Sequence, residues 1–186
     1  PDLIKVARER AEGHGNVQFV VGDAAQWQPD AGLAPDLLVS RHGVMFFPDP
    51  VQAFTHLRDM AAPEAQLVFS CFRSPAGNPW AREVADLLEV PRPADPYAPG
   101  PFAFAEEDHV RRILSRGGWR DVVLEPVDFT FVMGVGAQAL HDSLLFFTDV
   151  GPAAEVLRMT QDPDHRELLI KRLRQWLLRW LDRDVV

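Results

Sequence analysis

Cysteine is almost missing from this chain. Its 186 residues include one, Cys71, which excludes an intramolecular disulfide and any multi-cysteine zinc site. A single thiol suits a reducing compartment, and a cytoplasmic location is expected. Basic residues are in short supply too: 19 Lys and Arg face 27 Asp and Glu, leaving a formal charge of −8 and a pI near 5.2. Gripping a phosphate backbone requires clustered Lys and Arg, so no nucleic-acid partner is expected. No apolar run is long enough to cross a bilayer and no secretory pattern stands at the front, so no membrane partner is expected either. The histidines are scattered and make no metal-ligand spacing, so no metal is expected. An initiator methionine is lacking as well. The chain opens at Pro1-Asp2 directly into an amphipathic segment, which reads as a start inside a fold.

What is present is ordinary for a globular protein: 47% hydrophobic and 25% charged residues, in a chain long enough for one domain with a real core. Asp2 is placed to cap a helix carrying Leu3, Val6, Ala7 and Ala11, ended by Gly13 and Gly15. Val17-Gln18-Phe19-Val20-Val21 reads as a strand, and so does Asp36-Leu37-Leu38-Val39-Ser40, whose unbroken apolar run predicts burial on both faces. Asp49-Pro50 is an N-cap followed by proline at the first helical position, before Val51, Phe54, Leu57 and Met60 at helical spacing. A third apolar run, Gln66 to Phe72, completes an alternation of strands and helices that predicts a parallel sheet.

Further on, Pro79 opens a helix with Trp80, Val84, Leu87 and Leu88, followed by a proline-thick loop over 91–101. Glu106 to Arg116 suits a helix, and Val122 to Val132 an alternating strand. From Ala137 the chain reads as helical, with breaks near Gly151-Pro152 and Pro163. The expected division is a core over 1–136 and a helical segment over 137–186 packed on the same domain.

Ligands of open parallel sheets bind at the carboxyl ends of the strands. The loop after Val21 presents Gly22-Asp23-Ala24-Ala25. An ionised aspartate there suits an exocyclic amine such as that of adenine, with a following N–H for a ring nitrogen. The plainer reading is that Asp23 caps its own turn. The loop after Val39 reads Ser40-Arg41-His42-Gly43-Val44-Met45-Phe46-Phe47-Pro48-Asp49-Pro50. Its glycine permits close backbone approach and its apolar stretch can wall a pocket.

Taken in order, Gly22-Asp23-Ala24, Asp36 to Pro50 and Leu67 to Trp80 resemble the small-molecule branch of the class I S-adenosylmethionine-dependent methyltransferases. The resemblance covers about residues 1–135 well and the tail more loosely. It implies an α/β fold with a partial Rossmann-like sheet, strands from the third onward, and a helical C-terminal lid. It implies S-adenosyl-L-methionine as cofactor, with Asp23 beside the adenine amine, Ala24 giving a backbone N–H, and Ser40 and Arg41 along the methionine side. Asn78-Pro79-Trp80 and the proline-rich loop would border the pocket of a small-molecule methyl acceptor. The family's glycine-rich loop and ribose-binding acid would lie before Pro1, and its closing strand after Val186.

His42 stands where this branch often has an aromatic residue. Imidazole titrates near working pH and can take a proton from an acceptor hydroxyl, although a space-filling ring with one hydrogen bond is the commoner use of such a position. Cys71 reads as a buried structural thiol. His56 and Asp59 read as a solvated helix face, and Trp176, Trp180, Leu169, Leu173 and Leu177 as a lid or core face. Two rival readings stand beside the enzyme. One is an inactive methyltransferase-like module that forms a homodimer through the apolar tail. The other is a nicotinamide dehydrogenase fragment, which has no glycine fingerprint to support it.

Overall fold

The computed structural model describes residues 2–30, 32–183 and 185–186, with the side chains of Asp2 and Pro152 excepted. The cap expected from Asp2, and Pro1 and Asp184, lie outside the described residues. Contacts divide the chain into two compact units, residues 1–71 with 99–123, and residues 72–98 with 124–186.

The first unit is mixed α/β. Helix α1 runs Asp2–Arg10 and ends in a turn with Gly13 at φ 87°. Strands β1 (Leu37–Arg41) and β2 (Gln66–Ser70) pair in parallel, Leu37 opposite Gln66 and Arg41 opposite Ser70. Parallel strands need a crossover, and α2 (Pro50–Met60) supplies it. That helix starts as the sequence requires: the Gln52 N–H donates to the Asp49 carboxylate at 3.0 Å, and Pro50 occupies the first turn. α4 (Glu107–Arg116) packs on α2.

The core of this unit is aromatic. Phe54 is fully buried, with Phe47, Phe69 and Phe104 around it at ring separations of 6.0, 5.8 and 6.1 Å. The Trp119 indole N–H donates to the Phe54 carbonyl at 3.0 Å, and the Arg58 guanidinium lies over the Trp119 ring. Gly117 permits this closeness, since a Cβ there would stand 2.8 Å from the Cβ of Phe54.

Two expected strands are not formed. Residues 17–21 and 122–132 carry no regular secondary structure and no ladder among the described residues. A strand is made by its partner, and neither stretch has a neighbouring strand to exchange N–H and C=O groups with. Pro126 further removes a donor from the second. The expected double burial of β1 also fails. Leu38 and Ser40 face the unit's interior, while Leu37 and Val39 stay exposed, Val39 at 71%. An unbroken apolar run reports how much a strand has to bury, not whether both faces are covered.

The second unit is helical: α3 (Pro79–Leu87), α5 (Ala139–Asp149), α6 (Gly151–Met159) and α7 (Pro163–Leu177). The breaks near Gly151-Pro152 and Pro163 fall where the sequence placed them. Val84, Leu88, Phe147, Leu157, Leu169, Leu173, Trp176 and Leu177 form one core. Gly134 sits so close to α5 that a Cβ would lie 2.1 Å from the Ala139 carbonyl oxygen. The Val186 N–H donates to the Gly134 carbonyl at 3.0 Å, and its own carbonyl accepts from Met133 at 2.7 Å. No helix among the described residues is long and apolar enough to cross a membrane.

Candidate functional site

The candidate residues sit on two loops of the first unit. Asp23 opens a compact turn. Its Oδ1 accepts the Ala25 N–H at 2.9 Å, while its carbonyl accepts from Gln26 and Trp27. The self-capping reading of Asp23 thus describes part of its geometry. One carboxylate oxygen is spent on the turn. Among the described residues Oδ2 takes no hydrogen bond and the Ala24 N–H has no acceptor. Both residues are exposed. An outward acceptor beside an outward donor is the complement of an aminopyrimidine edge, which offers an N–H and a ring nitrogen side by side.

This turn is held from α2. His56 Nε2 lies 2.7 Å from the Trp27 carbonyl oxygen, and the Trp27 ring rests against Gly22. Sequence reasoning left His56 on a solvated face. The link spans 29 positions, and no local pattern announces it.

Ser40, Arg41 and His42 follow one another at the carboxyl end of β1. The ladder persists one residue beyond the strand, the His42 N–H donating to the Ser70 carbonyl at 3.1 Å. The backbone then reverses, with His42 at φ 54° in the left-handed region. A non-glycine residue there carries strain of about 1–3 kcal/mol, of the kind that collects at functional loops. Gly43 stands close to Ser40: a Cβ on it would meet the Ser40 Oγ at 3.1 Å, tighter than an ordinary contact. Ser40 and His42 are half-buried, and Arg41 is exposed. Burial, and then the neighbouring Arg41 guanidinium, hold the His42 imidazole below its ordinary pKa of 6.5. The ring is therefore neutral near pH 7 and able to accept a proton.

The apolar stretch that follows divides its labour. Val44 and Met45 enter the core within a 3-10 turn, Val44–Phe46, while Phe46 stays half exposed. The Gly100 N–H donates to the Met45 carbonyl at 3.1 Å, tying the end of the proline-rich loop to this turn. Cys71, just past β2, has its thiol pushed up by burial, with Sγ directed at the Phe104 carbonyl.

The second unit holds the other residues assigned to the acceptor side. Asn78 closes its own loop, its Nδ2 donating to the Arg73 and Ser74 carbonyls. Trp80 stacks on Phe131 at 5.5 Å and meets Phe72 edge-on at 5.4 Å. Arg73 and Asp128 form an ion pair in the same unit. Leu169, Leu173, Trp176 and Leu177 are buried, and the Trp176 N–H donates to Glu83, whereas Trp180 lies beyond the end of α7 and is half exposed.

Residues 1–69 match a family model described as a methyltransferase domain. No curated protein and no solved structure gives a significant match. The matched stretch contains both loops described above and ends within β2. Over these residues the chain is similar to a methyltransferase domain.

Proposed function

We propose that the protein transfers a methyl group from S-adenosyl-L-methionine to a small-molecule acceptor in the cytoplasm. One observation carries this reading: the methyltransferase-domain match covers the stretch in which Asp23-Ala24 and Ser40-Arg41-His42 end their respective runs. The donor set fits the cofactor. Asp23 Oδ2 and the Ala24 N–H would receive the adenine edge, and Ser40 and Arg41 would line the methionine portion. When bound, the cofactor supplies an activated methyl on a sulfonium, so alignment of the acceptor can carry much of the reaction. The protein adds a proton acceptor: His42, neutral at working pH, would take the proton of an acceptor hydroxyl or amine as that atom becomes nucleophilic. The finer architecture proposed with it is a Rossmann-like core over 1–136 and a helical segment over 137–186.

The charge of −8 supports a small acceptor over a nucleic acid. The rival reading, an inactive module dimerising through the tail, draws less support, because Leu169, Leu173, Trp176 and Leu177 are consumed in the core of their own unit. The test is photolabelling of the protein with S-adenosyl-L-[methyl-3H]methionine. Label that S-adenosylhomocysteine displaces supports the proposal; no displaceable label overturns it.

A further inference from the structure

We draw no further inference here: the strongest candidate, the groove of about 540 Å3 in the first unit between the outer edge of β2 and residues 118–123, is an open sheet edge, and nothing in the structure shows what covers it.

Discussion

His42 combines a left-handed backbone with partial burial, and that burial lowers its pKa. Asparagine tolerates the left-handed region but cannot take a proton, so His42→Asn separates the chemistry from the turn. Turnover should fall about 10²–10⁴-fold, while the melting temperature stays within a few degrees. Full activity in the variant would reduce His42 to a space-filling role. The lowered pKa also sets a pH dependence. Below the unfolded value of 6.5 the unfolded chain binds more protons than the folded one. The stability tied to the neutral ring is therefore complete above that pH. It is lost as pH falls toward the folded value and levels off below it. On lowering the pH from 7, the urea midpoint of wild type should accordingly fall relative to that of His42→Asn and then level off. Midpoints that keep a constant separation would contradict the assignment.

Among the elements, those with local signals were legible. Asp49-Pro50 announced α2, and removing the cap with Asp49→Ala should cost about 0.5–2 kcal/mol in urea unfolding. Gly151 and Pro163 announced the breaks in the tail, and the periodic apolar residues announced α3 and α4. The failures share a physical cause. Residues 17–21 and 122–132 have strand composition, but a strand exists only with a partner in register, and composition does not supply one. The site divides in the same way. His42 follows the end of β1, as its local pattern implied, whereas the strand expected before Asp23 is not formed and only the turn at Gly22-Asp23 was a local feature. The His56 support for the Trp27 turn was not, since it joins positions 29 apart. Gly134 is a further hidden requirement. Gly134→Ala drives a methyl into the Ala139 carbonyl and the Ser143 hydroxyl, and should destabilise by about 1–3 kcal/mol or more. An unchanged unfolding midpoint would mean that α5 does not pack so closely.

At the scale of the molecule, stability is concentrated in the two cores and is nearly absent from the open sheet face. Phe54→Ala, at the centre of the first core, should cost about 3–5 kcal/mol. Val39→Lys, on the open face, should stay within about 0.5 kcal/mol of wild type. A large loss on Val39→Lys, read by chemical denaturation, would show that this face is covered in solution. The central claim concerns what the whole molecule holds. It is tested most directly by calorimetric titration of S-adenosylhomocysteine into the full-length protein and its Asp23→Asn variant. Asparagine keeps the oxygen that caps the turn but replaces the outward acceptor with an amide donor. The account predicts one site per chain in wild type, and affinity about 10–100-fold weaker in the variant, the worth of a hydrogen bond to a charged group. No heat from the wild-type protein, or equal affinity in the two proteins, would contradict it.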